Sequence, residues 1–254
     1  MKVPALPRAA THVRRDWTRL SSPTPQPALF EPGMVAGLPE PTQRWLTHAI
    51  RAGTPLARSV ELRMHGQIRL GTWRPFTATQ VLAPPEGFIW AATARVFGLP
   101  VSGYDMFSSG TGQMRWRLLG LLPVLTADGP GVTASAAGRL VAEGTLVPTT
   151  FDAATWTSAG PDQATATWQV GSRQEIVELH VGEQGQLREV LIQRWGNPNR
   201  SPYGRYPFGV TVEAENTFDG ITIPSEFRAG WWWQTDRQDE GEFFRARITD
   251  ALFR

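Results

Sequence analysis

From Ser59 onward the polarity of the chain alternates residue by residue. Val60, Leu62, Met64, Gly66, Ile68 and Leu70 are apolar or small, and Glu61, Arg63, His65, Gln67 and Arg69 stand between them. Successive side chains of an extended chain point to opposite sides, so this run predicts a long strand with one buried face. Further strands are expected at 76–82, 87–97, 101–108 and 113–119, with Gly110-Thr111-Gly112 as a hairpin turn. A second series is expected at 155–157, 163–170, 175–181, 187–195, 208–218, 221–233 and 242–249. Gly182-Glu183-Gln184-Gly185 and Asp219-Gly220 read as turns within it.

Two segments change period. Trp45, Leu46, Ala49 and Ile50 recur at helical spacing over 41–51, with Pro41 in the first turn, where its missing N–H costs nothing. Residues 132–147 again read as a helix. Ala136, Leu140 and Val147, flanked by Ala137, Val141 and Gly144, make an apolar or small face; Ser135, Arg139 and Glu143 make the opposite stripe, and Pro148 ends the run. Helices that interrupt hairpin-linked strands, instead of alternating with them, exclude doubly wound and TIM-type folds. The expected fold is mainly β (α+β). It is a strongly curved antiparallel sheet or incomplete barrel, with the mid-chain helix in or across its concave face and a short N-terminal helix.

Residues 29–254 are expected to form this single domain. Residues 1–28 carry Pro4, Pro7, Pro23, Pro25 and Pro27 and five basic residues to one acidic, which predicts a flexible basic leader. Its middle, 9–20, places Val13, Trp17 and Leu20 on one side of a short helix, suited to an anionic surface or to the body of the protein.

Eleven tryptophans are dense for 254 residues, and three are consecutive, Trp231-Trp232-Trp233. In a strand, Trp231 and Trp233 share one face and Trp232 takes the other, so both faces must meet apolar matter. Large rings on a concave sheet make the wall of a cavity for an apolar ligand.

Composition removes many alternatives. Without cysteine there are no disulfides, thiolate metal sites or cysteine nucleophiles. No two of His12, His48, His65 and His180 lie at ligand spacing, so no metal is expected, although His65 and His180 are far enough apart in sequence to meet in space. There is no phosphate loop, dinucleotide glycine fingerprint, HExxH or G-x-S-x-G elbow, and no cofactor is called for. A formal charge of only +2 speaks against nucleic acid. No stretch approaches the roughly 20 apolar residues of a membrane helix, and the N-terminus has no unbroken secretory core, which makes cytoplasmic location the default.

Several long motifs run through most of the chain: GLPEPTQRWLTHAI at 37–50, ELRMHGQIRLGTWRPFTATQVL at 61–82, GQMRWRLLGLLPV at 112–124, SAAGRL at 135–140, RWGNP at 194–198 and GEFFRARITDA at 241–251. With the tryptophan-rich segment, these resemble a family of uncharacterised bacterial proteins known only as a domain of unknown function. That resemblance implies no catalytic residues. The leader lies outside it, and Trp231–Trp233 is richer in tryptophan than the family pattern. The order of strands and helices is also similar to the half-barrel of LolA-type lipoprotein carriers and of the enzyme VioE. That is a likeness of architecture, which does not fix function.

The candidate acid–base groups are Glu143, paired at i, i+4 with Arg139 on the mid-chain helix, and Tyr104 and Asp105 on the strand opposite Arg115-Trp116-Arg117. Register decides which of Tyr104 and Asp105 faces inward, and Asp105 is expected to pair with one of the two arginines across the hairpin. Trp116, Arg117, Arg139, Trp195, Trp231 and Trp233 are the candidate ligand contacts. Arg194, Asp236, Arg237 and Glu242 are candidates for a polar rim around the mouth, and so is Arg74 beside Trp73, where cation–π stacking is available. The expected function is binding of a hydrophobic or aromatic small molecule, a lipid or secondary metabolite, in a tryptophan-lined cavity. The alternatives are a cofactor-independent cyclase, isomerase or hydrolase using a buried carboxylate, and an interaction protein using the basic leader, with weak membrane-surface contact through residues 1–28.

Overall fold

A computed structural model describes residues 6–254, so Lys2 and Pro4 of the leader lie outside the described residues. Helices α1 (Arg14–Leu20) and α2 (Glu40–Ala49) come first. A meander follows: β1 (Val60–Leu70), β2 (Thr72–Ala83), β3 (Gly87–Val96), β4 (Leu99–Ser108), β5 (Thr111–Leu118) and β6 (Leu122–Ala127). Helix α3 (Pro130–Glu143) interrupts it. The chain resumes with β7 (Ala154–Gly160), β8 (Gln163–Val170), β9 (Arg173–Val181), β10 (Leu187–Gly196), β11 (Gly204–Phe218), β12 (Ile221–Trp231) and β13 (Glu242–Phe253).

All thirteen strands form one antiparallel sheet in the order β6-β5-β4-β3-β2-β1-β13-β12-β11-β10-β9-β8-β7. The first and last strands of the chain meet in the middle, Val60 opposite Phe253, and the sheet does not close into a barrel. Its edges, β6 and β7, are consecutive in sequence, so α3 carries the chain from one edge to the other across the concave face. The strand expected from the alternation of residues 60–70 is β1, and the incomplete barrel crossed by the mid-chain helix is the architecture found. β6 was not expected. Its residues Leu122 to Thr126 are all exposed, so it has no buried face to impose alternation.

Small residues let α3 sit close. The backbone N–H of Gly112 donates to Thr133 Oγ1 at 3.0 Å, and a Cβ on Gly112 would come within 2.8 Å of the α3 backbone at Val132 and Thr133. The sheet then builds two cores. Phe88, Trp90, Phe107, Leu140, Val141, Trp168, Leu179 and Ile192 belong to the one on the concave side. On the convex side Val81, Ile89, Tyr104 and Met106 pack under Ala10, Trp17 and Leu20 of the leader. Trp17 is 5% exposed and Leu20 3%, so the described part of the leader packs against the sheet instead of projecting free of it. Fully burying side chains of this size stabilises by roughly 1.5–3 kcal/mol each. No described helix is long and apolar enough to cross a membrane.

Candidate functional site

Strict alternation along the strands decides what reaches the space between α3 and the concave face. On β2, β3, β4 and β10 the inward positions are Gln80, Trp90, Asp105 and Arg194; their neighbours Val81, Ile89, Ala91, Tyr104 and Met106 go to the convex core. The cavity so formed has a volume of about 390 Å³. That lies within the roughly 300–1,000 Å³ usual for small-molecule sites. Its apolar wall includes Ile68, Phe208, Phe227, Trp231 and Phe244, and the rings interlock: Phe208 meets Trp231 edge-on at 5.3 Å, and Trp90 meets Phe244 at 5.9 Å.

Its polar wall is a network centred on Arg139. Nε of Arg139 donates to Glu143 Oε1 at 2.7 Å, and Nη1 reaches Asp105 Oδ2 at 3.3 Å. The guanidinium lies 4.6 Å from the Phe88 ring centre and 5.2 Å from that of Trp90. The remaining carboxylate oxygens are taken as well: Gln80 Nε2 donates to Glu143 Oε2 at 2.6 Å and Trp116 Nε1 to Asp105 Oδ1 at 2.8 Å. Burial pushes the Asp105 carboxyl above its ordinary pKa; Arg139, the Trp116 N–H and Arg194 offset part of that, while Glu143 adds to it.

Arg194 is held differently. Its Nε donates to the Ser135 carbonyl of α3 at 3.2 Å, and its guanidinium lies 4.7 Å from the Phe208 ring centre and 5.3 Å from that of Trp231. Among the described residues no carboxylate lies within salt-bridge distance of it, and its two Nη groups make no hydrogen bond. Burial, with the like charge of Arg139, brings its pKa down to about 10, so it remains cationic at neutral pH.

The structure brings Asp105, Trp116, Arg139, Glu143 and Trp231 of the sequence candidates to this cavity or its immediate wall and leaves four others elsewhere. Tyr104 is turned to the convex core beneath the leader, because it alternates with Asp105; its hydroxyl pKa is raised by burial. Arg117 lines an open groove of about 950 Å³ on that same convex side. Trp195 sets its indole edge against Gly131 at the start of α3. Trp233 does not share a face with Trp231, because the strand ends first: Trp232 has φ +59°, and the turned chain lays Trp233 over Gly209 on the convex face, where it is 2% exposed.

The expected cross-hairpin ion pair also changes partner. Asp105 is met by Arg139 of the helix, while Arg115 pairs with Asp128 at 2.7 Å. Of the rim candidates, Glu242 is buried between Arg228 and Arg245, and Arg237 pairs with Glu240. Arg74 stacks over Phe97 at 5.0 Å, and Trp73 takes Arg245 instead. His65 lies in the convex groove while His180 is bound to Glu178, and the described residues hold no cluster that could ligate a metal. Gln80 was missed by sequence reasoning, and Arg194 was placed at a rim instead of the cavity wall. Both occupy inward positions of otherwise apolar strand faces, Ala78-x-Gln80-x-Leu82 and Val190-x-Ile192-x-Arg194, and that parity was the available signal.

A family model matches residues 28–244. The chain belongs to DUF6544, a family of unknown function. No curated protein matches it. Among solved structures it is similar to a LolA superfamily protein from Nitrosomonas europaea, with 10% identity, TM-score 0.45 and coverage of 84% of this chain and 92% of that one. It is also similar to a putative outer membrane lipoprotein-sorting protein domain from Vibrio parahaemolyticus, with 9% identity, TM-score 0.40 and coverage of 78% and 86%. A DUF1329 family protein from Desulfovibrio piger matches with 12% identity, TM-score 0.37 and coverage of 78% and 86%. Likenesses of this size bear on no function.

Proposed function

We propose that this DUF6544 protein binds an amphipathic small molecule in the concave cavity, with its apolar body against Phe208, Trp231 and Phe244 and an acidic head group on Arg194. The observation that carries this reading is the Arg194 guanidinium, which lines an apolar cavity with both Nη groups unpaired. The charges of Asp105 and Glu143 reach it through space, but neither carboxylate lies within salt-bridge distance, so its Nη donors stay available to an acidic ligand. The protein's own carboxylates there, Asp105 and Glu143, are engaged by Arg139, Gln80 and Trp116. A carboxylate or phosphate ester would meet the guanidinium fork in two parallel hydrogen bonds.

Binding is favoured over acid–base catalysis for a related reason. Each oxygen of Asp105 and Glu143 already accepts a hydrogen bond, so neither is aimed at a substrate proton. The enzymatic alternative is tested by Asp105→Asn and Glu143→Gln, which should abolish any turnover that depends on them.

The direct test compares a long-chain fatty acid with the fatty alcohol of equal length by calorimetry and tryptophan quenching. A hydrogen bond to a charged group contributes about 1.5–3 kcal/mol, so the acid should bind roughly ten- to a hundred-fold more tightly. Arg194→Gln should erase that preference and leave alcohol binding near its original strength. Equal affinity for acid and alcohol in the parent protein would refute the head-group assignment, and absence of binding by either would refute the cavity reading itself.

A further inference from the structure

Eight of the twelve large hydrophobic side chains that stand exposed among the described residues belong to three neighbouring hairpin ends and the edge strand that leaves the last of them. In a meander alternate turns fall at the same end of the sheet, so the β1–β2, β3–β4 and β5–β6 turns lie side by side. The first presents Leu70, the second Phe97 and Leu99, with Phe97 85% exposed. The third presents Leu119, Leu121 and Leu122, with Leu121 76% exposed, and Val124 and Leu125 continue along the edge strand β6. Single exposed leucines are ordinary, whereas a contiguous cluster marks a contact surface.

The electrostatics around the cluster have one sign. Segments 69–76, 93–101 and 115–127 contain no Asp or Glu, yet they hold Arg69, Arg74, Arg95, Arg115 and Arg117. Arg115 is held by Asp128, but no described carboxylate lies within salt-bridge distance of Arg74, Arg95 or Arg117. The convex groove opens onto the same end through Pro100, Leu119 and Gly120, and it adds Arg8 and Arg63 with no carboxylate in its lining. The acidic residues at this end, Asp236, Asp239 and Glu240, lie in the β12–β13 loop, on the far side of β1 from β5 and β6.

We propose that this end of the sheet docks on an anionic lipid surface, with the three apolar tips in the acyl boundary and the arginines among the head groups. Its shape favours a lipid surface over a second copy of the chain. The apolar groups project from three strand ends, and the edge strand has Pro123, which has no N–H to offer a partner strand. Leu70 belongs both to the tips and to the cavity lining, so the docked surface adjoins the cavity mouth. The proposal does not depend on what fills the cavity, and it is tested without any cavity ligand.

The test is co-sedimentation of the full chain with vesicles of phosphatidylcholine alone and of phosphatidylcholine with phosphatidylglycerol. Binding to the anionic vesicles is expected to exceed binding to the neutral ones at least ten-fold and to weaken with salt. Phe97→Asp with Leu121→Asp should lower it at least ten-fold, and Arg95→Glu with Arg117→Glu should remove the anionic preference. All four positions are at the surface, and circular dichroism checks that the variants are folded. The proposal is overturned if the parent chain does not sediment with anionic vesicles, or if neither double variant changes its binding. It is also overturned if sedimentation velocity finds a dimer that Phe97→Asp with Leu121→Asp dissociates while vesicle binding is absent.

Discussion

The two faces of one sheet handle burial in opposite ways. On the concave face Asp105, Arg139, Glu143 and Arg194 are set among tryptophan and phenylalanine rings; Arg139 bonds both carboxylates directly, while Arg194 balances the remaining negative charge only through space. On the convex face the leader covers Val81, Ile89 and Met106 with Trp17 and Leu20, and the charged groups beside it, Arg8, Arg63 and Arg117, stay in an open groove. Adjacent residues Tyr104 and Asp105 divide between them. Burial raises both pKa values, but only the carboxylate changes state in an accessible pH range. The difference teaches that the concave face holds polar groups where an ordinary core would hold none, and that one of them, Arg194, has no carboxylate within salt-bridge distance.

The comparison breaks first at its most connected residue. Arg139→Met removes the cation shared by Asp105 and Glu143 and leaves two partly buried carboxylates without it, so stability to urea should fall by about 3 kcal/mol, the low end for breaking a buried pair. A loss below about 1 kcal/mol would mean that the carboxylates are effectively solvated.

Trp17→Ala tests the other face. Deleting a buried aromatic ring should lower stability by about 3 kcal/mol in the same assay. A negligible change would return the leader to a loose appendage and make the convex core a property of the sheet alone.

The pH dependence of Asp105→Asn is a smaller and more specific measure. Because the folded pKa is raised, the Asp105 carboxyl contributes stability that is fully present below its unfolded value of about 3.9, and this is lost as pH rises through the folded value. The asparagine variant lacks that loss, so its stability relative to the parent should rise between acid pH and neutrality. A difference that does not vary with pH would mean that Asp105 is not desolvated.

The smallest effect is expected at Gly196, where a Cβ would come within 2.5 Å of the Trp231 ring. Gly196→Ala should tilt that ring into the cavity and weaken fatty-acid binding a few-fold, with little change in the urea midpoint.

Much of this was readable along the chain. The alternation of residues 60–70 and the helical stripe Ser135-Arg139-Glu143 each identify an element and its polar or apolar side, because period two and period 3.6 follow from local backbone geometry. The Arg139–Glu143 pair is of that kind, since i, i+4 neighbours meet on any helix. Trp233 was not readable. Its side depends on a single backbone reversal at Trp232, a bulky residue at positive φ, which no alternation rule anticipates. The partner of Asp105 was equally hidden, because Arg115 is close in sequence and Arg139 is brought near only by the helix crossing the sheet.

What the sequence determined by itself was therefore most of the elements, the faces of those with a buried side, and the class of fold. These rest on short-range periodicity and on turns built by glycine and proline. The tertiary structure alone decided which polar groups share the cavity, that no carboxylate there comes within salt-bridge distance of Arg194, and that three hairpin ends assemble one apolar surface. Each of those depends on strand register and on the path of α3 from β6 to β7, which are set by the packing of residues far apart in the chain.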